Sequence, residues 1–540
     1  MKHIKFIGAI LAFIMLLTAC GGVSSQNADH AVEITLQDAG ILVDGAPAGE
    51  DSTKAVYTAR DIIYYESGKD FIYGEGSEKD AHSKEAADAH TVIHITRPGV
   101  YSVSGKLSKG QIAVDLGPEA KTDPQAVVTL ILNGVDITCE VAPAVIFYSV
   151  YECGSAENPS KDVDTSKAGA NVIIADGTEN FVNGAYVARI YKPDTVVLNG
   201  DNTAVAEAKK LHKYDGAFYS KMSMNVNAEK NGNGILHIRA ENEGLDSELH
   251  LTVNGGIINI SSGNDGINTN EDGVSVTTIN GGVLNIQVTG KTGEGDGIDS
   301  NGYLVINGGT VIASACSDSA DAGIDSDKGI YINGGTVIAT GHMLDRIENG
   351  GQTYAVFHFT QKQKAGETVT LKKENGDAVL EYQPTNDYAV LIYSSPALEE
   401  GVYTLWSGAQ QLTGQSSGIS DGAGKRPGGG GVRPDGANRP EGSKRPEGMT
   451  RPDGTARPDG TNRPTGAARP GKQPSQNAGN GSQEGFTPPP QQQGQQEMVP
   501  IQRPQRPGVG DWGNVTPGEV SPLFQIVKGA NMFSGISYQS

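Results

Sequence analysis

Short apolar runs recur through the middle of the chain, and each one follows an Asn-Gly-Gly turn. Full copies of this turn begin at Asn254, Asn280, Asn307 and Asn333, at intervals of 26, 27 and 26 residues, and a degenerate copy begins at Asn231. The runs that follow are short, apolar and rich in Ile and Val, which is typical of β-strands. They occupy residues 235–238, 257–260, 283–286, 311–313 and 337–339. The pattern predicts a strand that recurs at the same point of each repeated unit.

A second motif, close to Gly-Ile-Asp-Ser, lies ahead of each turn. Its copies occupy residues 217–220, 244–247, 266–269, 297–300 and 323–326. Units of 22 to 31 residues with short strands and no helical periodicity are typical of coils in a parallel β-solenoid. We therefore predict an all-β fold, a right-handed parallel β-helix over residues 91–345, preceded by an N-terminal segment and cap over residues 21–90.

The pattern changes after the last repeat. Residues 346–415 alternate strand-like runs with Gly, Asn and Pro turns, which predicts a small antiparallel β cap over the open end of the solenoid. Residues 416–510 contain Arg-Pro at intervals of six residues and then a Gln-rich and Pro-rich piece, which is the composition of a disordered spacer. Residues 511–540 turn apolar again, and two alternatives stay open for them: a strand that returns to the body, or a short peptide that binds a partner.

The first 20 residues have the layout of an export signal, with two lysines, an apolar run and then Leu-Thr-Ala-Cys. This ending resembles a bacterial lipobox, so we expect Cys20 to be lipidated and the protein to be exported and anchored to the cell membrane, facing outside. Cys139 and Cys153 are expected either to pair with each other or to remain buried thiols.

The net charge of the chain limits the classes of function that it can have. The chain has 540 residues with 63 acidic and 42 basic side chains, a net charge of −21. Without the signal (+2) and residues 421–540 (+4), the body carries −27. A net negative charge of this size excludes the class of basic proteins that bind the phosphates of nucleic acid.

We expect the protein to be a monomer.

The Gly-Ile-Asp-Ser motif contains the residues that are candidates for binding a metal ion and a ligand. Alternation along a strand places Leu245 and Ile298 inward and the neighbouring Asp or Asn outward, so that the outward residues form two columns on successive coils. The first column is Tyr219, Asp246, Asn268, Asp299 and Asp325, and the second is Lys221, Glu248, Asn270, Asn301 and Asp327. Lys291 is the only Lys or Arg between residues 241 and 327.

Carboxylate and amide oxygens without His or thiolate favour Ca²⁺, which would also relieve the repulsion between the carboxylates. The predicted ligands are Asp246, Asp265, Asn268, Asp296, Asp299, Asp325 and Asp327. The predicted sugar contacts are Tyr219, Lys221, Asn270 and Asn301. The alternative is that these Asp and Asn residues satisfy turn backbones and form a solvated acidic face.

Several segments resemble the carbohydrate-binding β-helix proteins first recognised in cellulolytic clostridia. The resemblance rests on residues 129–137, 215–221, 264–268 and 296–300. It implies a right-handed β-helix like that of pectate lyases, which binds Ca²⁺ and plant cell-wall polysaccharide, notably polygalacturonate and cellulose, without an established catalytic role.

Physical arguments favour polyuronate as the ligand, because Ca²⁺ can bridge the acidic body and the carboxylates of the sugar. Cellulose binding usually needs a flat aromatic platform, and Trp406 and Trp512 are the only tryptophans. A calcium-dependent polysaccharide lyase is an alternative, but a lyase needs a base beside the metal, and the columns have basic residues only at their margins. We therefore predict a protein that binds polysaccharide and is not an enzyme. A structural or adhesion protein is the third alternative.

Overall fold

The computed structural model describes residues 31–154, 159–417 and 518–538, and these residues are all-β. The regular helical structure within them is one five-residue α-helix, α1 (Lys84–Asp88), and two single turns of 3-10 helix. No helix in the described part of the chain is long and apolar enough to cross a membrane. The predicted signal with Cys20 and nearly all of the predicted Arg-Pro spacer lie outside the described residues.

Fifteen strands precede the Gly-Ile-Asp-Ser repeats. They are β1 (Val32–Leu36), β2 (Leu42–Val43), β3 (Ala46–Pro47), β4 (Val56–Ala59), β5 (Thr91–Ile95), β6 (Gly99–Leu107), β7 (Gly110–Asp115), β8 (Val128–Cys139), β9 (Val145–Ser149), β10 (Ala170–Ile174), β11 (Glu179–Gly184), β12 (Val187–Tyr191), β13 (Val197–Leu198), β14 (Val205–Glu207) and β15 (Lys210–Tyr214).

The repeats contribute the next fifteen strands, three in each unit. They are β16 (Gly216–Ser220), β17 (Met224–Ala228), β18 (Ile235–Ala240), β19 (Glu243–Ser247), β20 (His250–Val253), β21 (Ile257–Ser262), β22 (Ile267–Thr269), β23 (Val276–Ile279), β24 (Val283–Val288), β25 (Ile298–Ser300), β26 (Tyr303–Ile306), β27 (Thr310–Ser314), β28 (Ile324–Ser326), β29 (Gly329–Ile332) and β30 (Thr336–Gly341).

Each repeat strand from β16 to β27 pairs in parallel with the strand three elements later. One stack runs β16–β19–β22–β25–β28, a second runs β17–β20–β23–β26–β29, and a third runs β18–β21–β24–β27–β30. The earlier strands β8, β10 and β11 extend the second and third stacks in the same parallel sense. Every unit therefore adds one strand to each of three stacks.

The core lies between these stacks. One inward row of the third stack is Leu236, Ile258, Leu284, Val311 and Val337, and each of these residues is fully buried. They form one continuous cluster with the inward residues of the other two stacks. Burial of several such side chains per unit, at about 1.5–3 kcal/mol each, is the main source of stability.

The Asn side chains of the Asn-Gly-Gly turns form a ladder of hydrogen bonds that runs from one repeated unit to the next. The amide of each Asn donates to the side-chain oxygen of the preceding copy, at 2.8 Å from Asn280 to Asn254, 2.9 Å from Asn307 to Asn280 and 2.8 Å from Asn333 to Asn307. The second Gly of each turn has a positive φ, for example +80° at Gly309, which explains why Gly recurs there. The turns thus hold successive units in register.

The strands after the repeats form the region predicted as a cap. They are β31 (Tyr354–Gln363), β32 (Val369–Lys373), β33 (Ala378–Tyr382), β34 (Tyr388–Ser394), β35 (Gly401–Ser407), β36 (Gln410–Ser416), β37 (Phe524–Ile526) and β38 (Ala530–Tyr538). Strand β34 pairs antiparallel with β30 and so joins this region to the last repeat. A second hydrophobic cluster fills it.

The two C-terminal strands belong to this region. Strand β38 pairs in parallel with β31 and antiparallel with β36, and β37 pairs with β35. Phe533 and Phe524 are almost fully buried and pack on Phe357. Of the two alternatives for residues 511–540, the structure therefore contains a returning strand. Of the two alternatives for Cys139 and Cys153, the structure contains free thiols: Cys139 is buried and Cys153 is partly exposed.

Candidate functional site

The first predicted column is present as one line of residues across the first stack. Tyr219 is paired with Asp246, Asp246 with Asn268, Asn268 with Asp299, and Asp299 with Asp325. Because the strands are parallel and in register, their side chains project from the same face at the strand spacing of about 4.8 Å. The repeat motif thus brings the predicted acidic residues together in space.

The expectation of a solvated acidic face is wrong for this column. Tyr219 is 1% exposed, Asp246 0%, Asn268 6% and Asp299 2%, and only Asp325 is partly exposed. The alternation of side chains along a strand predicts which way these side chains point, but it does not predict their burial. The residues at the start of each strand cover the side chains of the column. A Cβ on Gly216, for example, would lie 2.5 Å from the Cβ of Asp246.

Three carboxylates meet at one end of the column and form what we call the Asp246 cluster: Asp215, Glu243 and Asp246. Each offers an oxygen, and the three oxygens lie within 4.8 Å of one another. Lys213 stands beside them, with its Nζ 2.8 Å from Oδ2 of Asp215. Glu243, at the start of β19, is paired with Gly216 of β16, and Asp215 immediately precedes Gly216. All three carboxylates are buried.

Three oxygen atoms of this region have no hydrogen-bond donor among the described residues: Oε2 of Glu243, Oδ2 of Asp246 and Oδ1 of Asn268. The other oxygens of the two carboxylates are satisfied, because Asn268 Nδ2 donates to Glu243 Oε1 at 3.0 Å and Asn270 Nδ2 donates to Asp246 Oδ1 at 2.6 Å. Leaving buried acceptors unpaired costs about 1–3 kcal/mol each. A cation or a shared proton at this point would remove that cost.

The pKa directions agree with this geometry. Burial raises the pKa of Glu243 and of Asp246 well above the ordinary carboxyl values, and the neighbouring negative charges raise both further. Without a cation the cluster therefore retains protons at pH values where exposed carboxyls are ionised. Burial likewise raises the pKa of Tyr219, whose hydroxyl donates to Glu248.

A second group, the Asp299 cluster, consists of Asp296, Asp299 and Asp325, again with one oxygen of each within 4.8 Å of the others. Asp296 and Asp299 are 2% exposed, whereas Asp325 is partly open to solvent. Burial raises the pKa of Asp296 well above its ordinary value, followed by the charges of Asp325, Asp265, Asp299 and Asp321. This cluster thus has one side facing solvent, which the Asp246 cluster lacks.

Some of the predicted ligands bind backbone groups of the next unit. Asp265 Oδ1 accepts from the Asp296 N–H at 2.7 Å, and Asp296 Oδ1 accepts from the Ala322 N–H at 2.6 Å. Asp321 Oδ2 accepts from the Gly295 N–H at 2.7 Å. The alternative role, satisfying turn backbones, is therefore real for these residues, and Asp265 lies outside both clusters.

The remaining predicted residues are scattered in exposure. Lys221 and Asp327 are exposed, whereas Asn270 and Asn301 are half-buried beside the column. Asn301 donates to the Asn270 carbonyl oxygen at 3.0 Å. Tyr219 is buried and presents no surface to a sugar, which corrects its predicted role. Asp327 is not part of the Asp299 cluster.

Lys213, Asp215 and Glu243 were not among the predicted ligands, although they complete the Asp246 cluster. Asp215 lies within residues 215–221, which carry part of the family resemblance. The signal that could have found Glu243 is its position, because it directly precedes Gly244 of its motif copy, as Asp265 precedes Gly266 and Asp296 precedes Gly297.

The donor set of both clusters fits a hard divalent cation. Every group that could bind the ion is a carboxylate or amide oxygen, and the unpaired oxygens of Glu243 and Asp246, with that of the neighbouring Asn268, are atoms that such an ion would take up. The geometry also shows two environments: an enclosed cluster suited to stabilising the fold, and a cluster with a solvent-facing side.

Comparisons with known proteins concern the repeat region. A family model described as "Carbohydrate-binding domain-containing protein" matches residues 89–353, just under half of the chain. This match confirms the resemblance of the repeat region to a carbohydrate-binding family.

A protein of Acetivibrio thermocellus with the same description is 30% identical over 172 residues, which is 32% of this chain and 45% of that protein. The alignment thus spans less than half the length of that relative. A solved structure described as a polysaccharide lyase-like protein from C. thermocellum, gadolinium derivative, shares 19% identity at a TM-score of 0.33, covering 57% of this chain and 90% of that chain.

Proposed function

We propose that this protein binds acidic polysaccharide of the polyuronate type, through Ca²⁺ held by the carboxylates of the repeat region. Two observations support a polysaccharide as the ligand: the match of residues 89–353 to a family described as carbohydrate-binding, and the similarity to the A. thermocellus protein of the same description. The choice of a polyuronate rests on charge, since Ca²⁺ can join the −27 body to the carboxylates of such a sugar. Cellulose is a second candidate. It has less support, because cellulose binding usually needs a flat aromatic platform and the chain has only two tryptophans.

The observation that carries this proposal is the pair of oxygen clusters with unequal exposure. Ca²⁺ takes six to eight oxygen ligands in loose geometry, more than three carboxylates supply singly. At the Asp299 cluster, the partly exposed Asp325 marks the side from which water or a sugar carboxylate would reach the ion. At the Asp246 cluster the surrounding protein would supply the remaining ligands, so that ion would have a structural role.

The proposed fold is a right-handed parallel β-helix. Its support is the parallel pairing of each repeat strand up to β27 with the strand three elements later and the burial of the inward apolar rows of the stacks. In such a fold the acidic column runs along the axis of the helix, which is the direction in which a polysaccharide chain would extend.

We further propose that the protein is exported, lipid-anchored at Cys20 with the body facing outside, and monomeric. The support is the sequence of the first 20 residues, which has the layout of a lipoprotein signal. A surface location would give the body access to extracellular polysaccharide.

We propose binding without catalysis. A lyase would need a basic group of lowered pKa beside the metal. Lys213 is the cation at the Asp246 cluster; its side chain is 30% exposed, and its Nζ is ion-paired with Oδ2 of Asp215 at 2.8 Å. Lys221 and Lys328 are exposed at the margins of the column.

The test combines binding and turnover. The mature protein is passed over immobilised polygalacturonate and over cellulose, in Ca²⁺ and in EDTA, while the absorbance of unsaturated products is followed in parallel samples. We expect retention by polygalacturonate that EDTA weakens, with no product. Retention unchanged by EDTA would rule out bridging by Ca²⁺, steady product formation would favour the lyase, and no retention by any glycan would favour a structural protein.

A further inference from the structure

A groove of about 530 Å³ lies on a different part of the repeat region, over the outward face of strands β18, β21, β24 and β27. The segment that follows β33 closes one end, where the Tyr382 hydroxyl and the Ser314 hydroxyl are 3.1 Å apart. None of the residues predicted to bind metal or sugar lines this groove. It is therefore a separate surface from the acidic column.

The floor of the groove is a row of planar polar side chains on successive strands. His237 is in register with Asn259, and Asn259 with Asn285. Asn285 Nδ2 donates to Asn259 Oδ1 at 2.8 Å, and the His237 ring is stacked on Phe181 with a centroid distance of 4.8 Å and an interplanar angle of 9°. These contacts fix the orientation of the amides before any ligand arrives, which lowers the entropy cost of binding.

A contact to the cap orders the far end of the row. Gln287 Nε2 donates to Asn386 Oδ1 at 3.1 Å, and Asn386 Nδ2 in turn donates to the carbonyl oxygens of Val288 at 2.6 Å and Ala315 at 2.7 Å. Asn386 is buried, so the cap loop is anchored to the repeats at this point. The groove is thus formed by residues of both the repeats and the cap.

The charge of the groove is opposite to that of the body. No Asp or Glu lines it, whereas Arg239 does, and the Arg239 side chain is exposed. No described carboxylate forms an ion pair with Arg239. The nearest acid of the His237 row, Glu179, is held by His237 Nε2 at 2.9 Å.

Arg239 also lines an adjoining groove of about 270 Å³, which contains Lys291. The two glutamates of that groove are already paired, Glu241 with Lys291 at 3.1 Å and Glu140 with Lys109 at 2.8 Å. Arg239 therefore lines both grooves, and the carboxylates that line the smaller one are both held in ion pairs.

We propose that this groove is a second binding site for an acidic polysaccharide, one that works without Ca²⁺. The Arg239 guanidinium pairs with a carboxylate of the sugar through two parallel N–H···O bonds. The amides of Asn259, Asn285 and Gln287 hydrogen-bond the hydroxyl groups of the chain as it crosses the strands. The class of ligand rests on the proposed function, whereas the site rests on the groove itself.

The experiment measures the affinity of the protein for soluble polygalacturonate in EDTA, by affinity electrophoresis. Arg239→Gln removes the cation at an exposed position, so the variant is expected to fold. We expect affinity in EDTA to fall about tenfold or more, as for loss of a charge-assisted bidentate pair. Asn285→Ala should weaken binding less, and Arg239→Lys should restore part of it.

Lys167→Gln is the matched control, because it removes one positive charge from an exposed lysine that lines neither groove. It should bind as the wild type does. If Lys167→Gln weakens binding as much as Arg239→Gln, the effect is net charge alone and the groove proposal is overturned. A neutral glucan bound as tightly as polygalacturonate, and equally by Arg239→Gln, would overturn it as well.

The outcomes separate this inference from the proposed function. If the wild type binds polygalacturonate only in Ca²⁺, the groove proposal fails and the calcium site stands. If Arg239→Gln binds like the wild type in EDTA, the groove proposal fails whatever Ca²⁺ adds. If the wild type binds in EDTA and Ca²⁺ adds nothing, the calcium part of the proposed function fails and the groove remains. Absence of binding under both conditions refutes both.

Discussion

Asp246 shows how a single carboxylate can limit both stability and function. It is fully buried, one of its oxygens accepts from Asn270, and the other has no donor among the described residues. A buried negative charge beside Asp215 and Glu243 is unfavourable unless a cation or a proton is present. The cluster should therefore respond strongly to the ions in solution.

Asp246→Asn removes one negative charge from the cluster and one ligand of the proposed ion. Binding of Ca²⁺ at a concentration of about 100 times Kd stabilises a protein by about 2.7 kcal/mol, and we expect the variant to lose most of the part contributed by this site. In EDTA near pH 8, its melting temperature should equal or exceed that of the wild type, because repulsion is reduced.

Differential scanning calorimetry with and without Ca²⁺ measures both effects. Asp327→Asn, at an exposed position outside the clusters, is the matched control and should keep the whole shift. A wild type whose melting temperature does not change with Ca²⁺ would contradict the proposed role of Asp246 as a ligand. An Asp246→Asn variant that keeps the full Ca²⁺-dependent rise in melting temperature would contradict it too.

The pH dependence follows from the raised pKa values of Glu243, Asp246 and Asp296. A carboxyl whose pKa is higher in the folded protein binds its proton more tightly there, so it stabilises the fold below its unfolded pKa. That stabilisation is lost as pH rises through the folded pKa. In EDTA, the free energy of unfolding should fall as pH rises above the ordinary carboxyl range towards the raised pKa values of the folded protein. Urea titrations at several pH values test this, and stability that rises with pH in EDTA would contradict it.

At the scale of the elements, the Asn-Gly-Gly turn sets the register of the repeats. Gly309 combines a φ of +80° with close packing, since a Cβ there would lie 2.7 Å from the Gly282 carbonyl oxygen. Two independent constraints therefore demand glycine at this position.

Gly309→Ala should lower the free energy of unfolding by about 1–3 kcal/mol, through backbone strain and the close contact together. Gly117→Ala is the matched control, because Gly117 has a φ of +90° but nothing lies within 4 Å of the added Cβ. Chemical denaturation of both variants separates the two constraints. If Gly117→Ala costs as much as Gly309→Ala, packing between turns adds nothing.

The repeats made the strands and the column predictable, because a fixed period and alternation determine which residues share a line. Asp246, Asn268, Asp299 and Asp325 stand on that line as expected. Burial was not predictable, since alternation gives the direction of a side chain but not what covers it. The groove at Arg239 was missed for a related reason: the cap segment that closes it is about 140 residues away in the sequence.

At the scale of the whole molecule, acidic and basic surfaces are separated. The body carries −27, two groups of three carboxylates lie at the column, and the groove over β18, β21, β24 and β27 is lined by no carboxylate. An acidic polymer would therefore need Ca²⁺ at the column and none at the groove. The C-terminal strands β37 and β38 complete the capping region, so residues far apart in the chain form one structure.

The most direct measurement of the central claim is the affinity of Asp325→Asn for polygalacturonate in Ca²⁺ and in EDTA, beside the wild type and Asp327→Asn. Asp325 is the partly exposed member of the Asp299 cluster, so its loss should weaken the proposed ion at the surface that a sugar reaches. We predict that Ca²⁺ tightens binding by about tenfold or more for the wild type and Asp327→Asn, and has little effect on Asp325→Asn. Equal affinity of the wild type in Ca²⁺ and EDTA, or an undiminished gain in Asp325→Asn, would contradict the claim.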